Sequence, residues 1–407
     1  RKAAHAAAGS GILSKASGVA IMKILLVRTW STMLDVTKQT YNIQEVGLAK
    51  ALMRRGHQVD LLFWTNEEEK DVLVPVTEGT NIHVFYRHGP VALKCVFFPH
   101  MKKLAEQYDI LQTGEYSQLY SWHLAGKYPD KTVIYHGPYY APFNRNYNRL
   151  CWGIDHLCLG RYKRLKTPFL TKSRLAEKFL TDKGLASTQV IPVGVGVDAE
   201  LLSSREEEPF ELAERMRDQA EGLKLLYIGR IEPRRDPGFL LRVVEELHKR
   251  GTVAKLYVVG DGDDMQTAAF AEQIKAMGLT EDVIWQRKAR QQQLGAAYHQ
   301  ADFFLLPTEY EIFGMVLLEA MFFETVALTT PNGGADMLIQ DGENGVVLTK
   351  DHPEEWAVRM LDLQKQPEKK RRMGAAARET VTQHFTWDAL AGAFEQVYEQ
   401  MRRQRKQ

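Results

Sequence analysis

Cysteine is scarce. The 407-residue chain has three, Cys95, Cys151 and Cys158. The count is odd and no pair has metal-ligand spacing, which excludes a disulfide framework and reads as reduced thiols in a cytoplasmic protein. Long apolar runs are missing as well. No stretch reaches the roughly 18 apolar residues of a membrane span. Net charge is small, +2 from 53 basic and 51 acidic residues, so global charge argues neither for nor against a nucleic-acid partner. No repeat of solenoid length occurs. Residues 1–21 are rich in Ala, Gly and Ser but lack the apolar segment of a signal peptide. They read as a cloning scar or disordered tail, with Met22 as the true start.

What is present is ordinary globular composition, 44% hydrophobic and 26% charged, at a length that suits two domains. Short apolar runs alternate with amphipathic stretches. Lys23–Arg28 reads as a strand and Tyr41–Arg55 as a helix stopped by Gly56. Gln58–Phe63 is the next strand, and a strand–helix–strand unit implies a parallel sheet. Further strands are expected at Ile82–Tyr86, Asp109–Gln112, Lys131–Tyr135 and Pro168–Leu170. Ser203–Gly222 is highly charged, contains Pro209, and reads as a linker with a helix. The alternation resumes at Leu223–Ile228, Leu256–Val259, Val283–Trp285 and Ala301–Pro307. Near the end, Phe385, Leu390, Phe394, Val397 and Tyr398 form a helical apolar stripe. The expected fold class is α/β. The expected division is 22–200, a linker at 201–222, 223–384, and a final helix within 385–407.

Tyr310–Leu328, YEIFGMVLLEAMFFETVAL, holds the chemistry. The preceding ADFFLLP is a buried parallel strand closed by proline, so the order is strand, turn, helix. Glu311 falls in the turn, Phe313 and Gly314 open the helix, and Glu319 lies inside it. Unpaired backbone amides at Phe313–Val316 would face the top of the sheet and favour an anion. Eight helical residues span about 12 Å, too far for the carboxylate pair of a glycosidase, which needs about 5–9.5 Å. On spacing alone, a capping Glu and a second Glu paired to a neighbouring Arg are favoured.

Other features weigh differently. Asp261 and Asp263 in GDGDD form a D-x-D, read as a turn rather than a metal site. Asn144–Lys166 carries Arg145, Arg149, Arg161, Lys163, Arg164 and Lys166 against Asp155. A solvated helix face is the bland reading; a surface for anionic lipid or a phosphate-bearing acceptor is the sharper one. The terminal Arg402, Arg403, Arg405 and Lys406 are read as a frayed solvated end in preference to a membrane contact.

EIFGMVLLE resembles the Glu-x7-Glu motif of the retaining GT-B glycosyltransferases of family 4. NGGADMLIQDGENGVVL (332–348) resembles the glycine pair and Asp-Gly-x-x-Gly turn of that family. TKSRLAEKFLTDKGL with VIPVGVGVD resembles the segment that closes its first domain. The resemblance covers most of the chain from Met22, specifically in the second half and loosely in the first. It implies two Rossmann-like domains facing each other across a cleft, the last helix crossing back onto the first. The first domain would bind the acceptor and the second the nucleotide sugar. It implies a metal-independent, retaining hexosyltransferase that takes a UDP- or GDP-sugar and a glycan, glycolipid or small-molecule acceptor, with no cofactor.

By the same resemblance, Arg230 after Gly229, and Arg235 where a lysine is usual, would hold the donor diphosphate, with Arg234 adjoining. Glu311, Ile312, Phe313, Gly314, Met315 and Val316 would cradle the donor. Glu319 would take its ribose, and His136 of HGPYYAP would lie beside its sugar. Arg287 or Lys288 would border the base. The chain departs from the pattern in three places. Its first loop, TWSTMLDVTKQTYN, has no glycine, leaving Thr37, Lys38 or Asn42 as substitutes. Glu324 and Val326 stand where Gly-x-Pro is expected. QRKAR lacks a usual glycine. These departures leave open a partner subunit with little or no activity, and an epimerase acting on the donor alone is a third reading.

Overall fold

The computed structural model describes residues 20–37, 43–99, 101–203 and 209–406. Most of the N-terminal tail, Lys38, Asn42 and residues 204–208 of the expected linker lie outside the described residues.

Two sheets form two lobes. The first has eight strands, in the spatial order Val190–Pro192, Phe169–Thr171, Thr132–His136, Ile110–Gly114, Lys23–Val27, Gln58–Trp64, Thr80–Arg87 and Lys70–Thr77. The second has six, in the order Val283–Gln286, Ala254–Val259, Leu223–Ile228, Phe303–Leu306, Ala327–Thr329 and Val346–Val347. Neighbouring strands are parallel, apart from the antiparallel hairpin of Lys70–Thr77 with Thr80–Arg87. Central strands such as Phe303–Leu306 are buried at every residue, the mark of a sheet covered by helices on both faces. Lys70–Thr77 was not foreseen. It alternates exposed and half-buried residues, carries Pro75 and forms a sheet edge, where a missing amide costs no ladder bond. This is the GT-B architecture.

The segment expected as a linker is not loose throughout. The Glu211–Asp218 helix buries Leu212, Ala213 and Met216, and Tyr257 Oη donates to Gln219 Oε1 at 2.8 Å. The chain thus docks on the second lobe before its first strand begins.

The final helix, Trp387–Lys406, crosses back onto the first lobe. His57 Nε2 lies 2.8 Å from Glu395 Oε1, and Arg54 Nη1 lies 2.8 Å from Asp388. Much of the terminal basic run is engaged within the chain. Arg402 donates to the carbonyls of Ala20 and Ile21, Arg403 pairs with Glu399, and Arg405 pairs with Asp130. The crossing is pinned by backbone: Val197 N donates to Phe385 O at 2.9 Å and Trp387 N to Val197 O at 3.1 Å. The Trp387 indole fills the space over Gly47 and Gly196, where an added Cβ would come within 2.2 and 2.7 Å of it.

Candidate functional site

The site is assembled at the carboxyl ends of the central strands of the second sheet, where open α/β sheets bind ligands. Leu223–Ile228 ends in Gly229, and Phe303–Leu306 ends in the turn that carries Glu311. The two turns interlock. Glu309 N donates to Arg234 O at 2.9 Å, and Arg234 Nη1 donates to Tyr310 O at 2.7 Å. Arg235 lies across this junction. Its Nη2 is 2.8 Å from Glu311 Oε2, its Nε donates to Glu232 at 3.3 Å, and both Arg235 and Glu311 side chains are only 14% exposed. The Arg235–Glu311 contact lacks hydrogen-bond alignment, so that carboxylate oxygen keeps unused accepting capacity. A Cβ on Gly229 would lie 3.3 Å from Arg235 Nη1, so glycine leaves the guanidinium its place.

Gly314 caps the Met315–Phe322 helix at φ +80°, a left-handed conformation that suits glycine. Among the described residues, the amides of Phe313, Gly314, Met315 and Val316 donate to nothing. Glu319 is buried inside this helix. Its Oε1 accepts from Gln291 at 2.8 Å and its Oε2 from Tyr298 at 3.3 Å. Arg230, by contrast, is exposed, and its guanidinium has no partner among the described residues. The structure thus pairs Arg235 with Glu311 beside Gly229, with Glu319 held by Gln291 and Tyr298 and Arg230 exposed.

Gly333 and Gly334 admit the 311–313 turn. A Cβ on Gly334 would lie 1.8 Å from Phe313 O, and one on Gly333 would lie 2.5 Å from Ile312 O. Asn332 caps the Gly333–Leu338 helix beside them. The D-x-D is likewise internal. Asp261 pairs with Arg287 at 2.7 Å, and Asp263 caps the Asp264–Ala276 helix. Arg287 is thereby turned onto Asp261. Thr37 is bonded to Asp35 within its own loop at 2.6 Å, which occupies the hydroxyl offered as a ligand contact.

From the first lobe, His136 ends the strand Thr132–His136 fully buried. Its Nδ1 is 2.7 Å from Glu115 Oε2, which also accepts from Gly137 N at 3.0 Å. Burial works to raise the Glu115 carboxyl, but the His136 hydrogen bond, Lys172 and the Gly137 amide outweigh it and hold it below the usual range. Glu115 sits at φ +59°, a conformation uncommon for a residue with a side chain. His136 Nε2 is buried without a partner among the described residues.

The lobes meet beside His136. A Cβ on Gly137 would come within 2.7 Å of Ile312 Cγ2. Tyr139 reaches further: its Oη donates to Glu311 O at 3.0 Å and accepts from Gly333 N at 3.1 Å, and its own amide donates to Tyr310 Oη at 3.2 Å. Burial pushes the Tyr139 hydroxyl up to about 12, so it keeps its proton at neutral pH. Tyr139, Glu115 and Tyr310 were missed in the sequence. The available signal was a pair of tyrosines after His-Gly-Pro at a strand end.

Residues 209–380 match the family model described as Glycosyl transferases group 1. Among curated proteins, the chain is similar to the D-inositol 3-phosphate glycosyltransferase of Corynebacterium diphtheriae, 29% identical over 43% of this chain and 42% of that one. It is similar also to the protein of that name from Kineococcus radiotolerans, 30% identical over 53% and 52%. The aligned stretch thus spans about half the length of these relatives. The fold superposes on Anabaena Alr3699/HepE, solved in complex with UDP, with a TM-score of 0.70 and 16% identity over 93% of this chain and 100% of that one.

Proposed function

We propose that the protein is a retaining glycosyltransferase of the family 4 type, moving a sugar from a UDP- or GDP-sugar to an acceptor hydroxyl without a metal ion. The observation that carries this reading is the meeting of Arg235, Gly229 and Glu311 beside four unpaired amides at a helix start. Fixed positive charge and unpaired N–H groups are what a departing diphosphate needs as its charge develops. The group 1 match over the second lobe supports the same reading, and the UDP held by Anabaena HepE supports a uridine donor.

In this mechanism Arg230 and Arg235 bind the diphosphate, and the Phe313–Val316 amides neutralise it. Glu311 holds sugar hydroxyls and orients the anomeric carbon. Glu319 takes the ribose, and His136 flanks the sugar. The acceptor oxygen bonds to the anomeric carbon on the face from which the diphosphate leaves. The acceptor proton passes to the departing phosphate oxygen, so no protein nucleophile is required. Lobe closure excludes water and limits donor hydrolysis.

The acceptor is a glycan, glycolipid or small polyol. For a lipid-linked acceptor, the exposed face of the Arg145–Ile154 helix and the turn after it is apt. Trp152 is 68% and Leu157 71% exposed, beside exposed Arg145 and Arg149. Such a face lies on an anionic membrane surface, and we place the protein in the cytoplasm with that peripheral contact. Co-sedimentation with phosphatidylglycerol vesicles that survives Trp152→Ser with Leu157→Ser would count against it.

The test of the site is paired substitution. Arg230→Ala and Glu319→Ala each abolish most transfer from UDP-glucose or the donor found by screening, with the fold intact by circular dichroism. Wild-type rates in both variants refute the assignment. Conversion of the donor without acceptor would instead identify an epimerase, and UDP binding without turnover an inactive partner subunit.

A further inference from the structure

Lys183 is a lysine drawn inward. Its side chain is 6% exposed, and lysines are almost never so buried unless paired. Its Nζ forms an ion pair with Asp155 and donates to Tyr140 Oη at 2.6 Å. The ammonium also lies 4.6 Å from the centre of the Phe179 ring and 4.7 Å from that of Tyr140, within cation–π range. Burial works to lower the lysine's pKa, but the hydrogen bonds to Asp155 and Tyr140 outweigh it, so the charge is kept.

Part of this has a plain structural account. Lys183 follows the last residue of the Arg174–Asp182 helix, an end at which a cation is favoured. That position asks for no burial and no reach to Tyr140. Tyr140 is itself 49% exposed, so water could serve its hydroxyl as well. What the contact achieves is to tie the chain at Tyr140 to two other elements. One is the Arg174–Asp182 helix. The other is Asp155, which opens the π-helical turn Asp155–Leu159 and also accepts from Tyr116 Oη at 3.3 Å.

Tyr140 matters through its neighbour. The Tyr139 amide donates to Tyr310 Oη at 3.2 Å, and its hydroxyl donates to Glu311 O at 3.0 Å. Both bonds cross from the first lobe to the turn that carries Glu311. The helix that ends at Lys183 reaches the same joint at its other end, where Arg174 Nη1 donates to Asp336 O at 2.7 Å. Between its ends, Phe179 stacks on His136 at 5.5 Å and meets Tyr140 edge-on at 4.7 Å. Asp155, Tyr140 and Phe179 all belong to the first lobe, so an effect of Lys183 on the second lobe must pass through the 139–140 segment.

We propose that Lys183 is a positioning residue for transfer, acting through Tyr140 on the adjacent Tyr139 and so on the turn that carries Glu311. Its consequence for catalysis rests on the glycosyltransferase reading; its consequence for Tyr139 does not.

Two variants of the full chain test this. Tyr140→Phe removes one hydroxyl. Lys183→Met with Asp155→Asn removes the ammonium without stranding its carboxylate. Thermal melting shows whether each is folded, and Tyr140→Phe decides alone if the other is not. The first readout is hydrogen exchange at the Tyr139 amide, which speeds up roughly fivefold, the weight of one net hydrogen bond. The second is transfer, where kcat falls by roughly the same factor while UDP affinity by calorimetry stays within about twofold. The third is a cycle with Tyr139→Phe. A residue that acts through Tyr139 adds little to its loss, so the pair Tyr139→Phe and Tyr140→Phe falls less than about twofold below Tyr139→Phe alone. Unchanged Tyr139 exchange in the folded variants, or kcat losses that multiply in the cycle, overturn the proposal. Faster Tyr139 exchange in a protein that transfers sugar from no UDP- or GDP-sugar upholds the positioning of Tyr139 and refutes the glycosyltransferase reading alone.

Discussion

Tyr139 and Glu311 stand on opposite lobes and are joined through one hydroxyl. The Tyr139 Oη–H points at the Glu311 carbonyl, 3.0 Å away, and the same oxygen takes the Gly333 amide at 3.1 Å. The backbone of the turn that carries Glu311 is therefore held from across the cleft. Whatever displaces the first lobe also displaces Glu311, one of the two carboxylates paired to Arg235.

Tyr139→Phe tests this coupling. The ring stays against Tyr310, whose centroid is 4.5 Å away, but both hydroxyl bonds are lost. One such bond contributes about 1–1.5 kcal/mol net, which corresponds to roughly a tenfold fall in kcat if it is felt in the closed, reacting state. UDP affinity, which the proposed donor site in the second lobe would set, stays within about twofold. Steady-state kinetics together with calorimetry separate the two; an equal loss in UDP binding would show that Tyr139 merely stabilises the donor lobe.

Arg235 and Glu311 make a sharper energetic claim. Removing Arg235 leaves a mostly buried Glu311 and Glu232 short of a partner. Arg235→Met therefore lowers stability by about 3 kcal/mol. Adding Glu311→Gln recovers most of that loss, because the stranded charge is gone. Urea melts of the two single variants and the double give the coupling energy directly, and simple additivity would contradict the pairing.

The second lobe was readable because its strands are near-continuous apolar runs with turns of fixed chemistry. Leu223–Ile228 begins and ends where expected, and Gly229, Arg235 and Glu311 came to the site through motif spacing. What stayed hidden depends on contacts with no local period. Tyr139 meets Gly333, 194 positions away, and nothing near either residue advertises it. Lys70–Thr77 is rich in valine but carries Pro75, which argues against a strand except at a sheet edge, where it in fact lies. The glycine pair Gly333–Gly334 shows in the sequence that something comes close, but not that it is the chain's own 311–313 turn.

Glu324 shows the same limit from the other side. It occupies the place where glycine was expected, and the reason is now visible: φ is +61°, just past the end of the Met315–Phe322 helix. A side chain in that conformation costs roughly 1 kcal/mol. Its ion contact with Arg378, 3.8 Å and largely exposed, offsets little. Glu324→Gly therefore stabilises the protein by about 1 kcal/mol and raises the melting temperature by roughly 1–3 °C, with transfer activity unchanged. A lower melting temperature would mean that the Arg378 contact outweighs the backbone strain.

The last prediction concerns acid. Glu115 has a folded-state pKa below its unfolded value, because hydrogen bonds and Lys172 outweigh the burial that works against its charge. Such a carboxylate contributes stability that is fully present above the unfolded value, near pH 4.5. The contribution drains away as pH falls from there through the lower folded value, at about 1.4 kcal/mol per unit of displacement. Glu115→Gln removes that titration while keeping an acceptor for the Gly137 amide. In urea melts from pH 6 to pH 3, the wild type loses more stability than Glu115→Gln, and the two curves converge at the acid end. Parallel curves over that interval would place the Glu115 carboxyl at an ordinary pKa and remove the electrostatic account of how it holds His136 and Gly137 at the joint between the lobes.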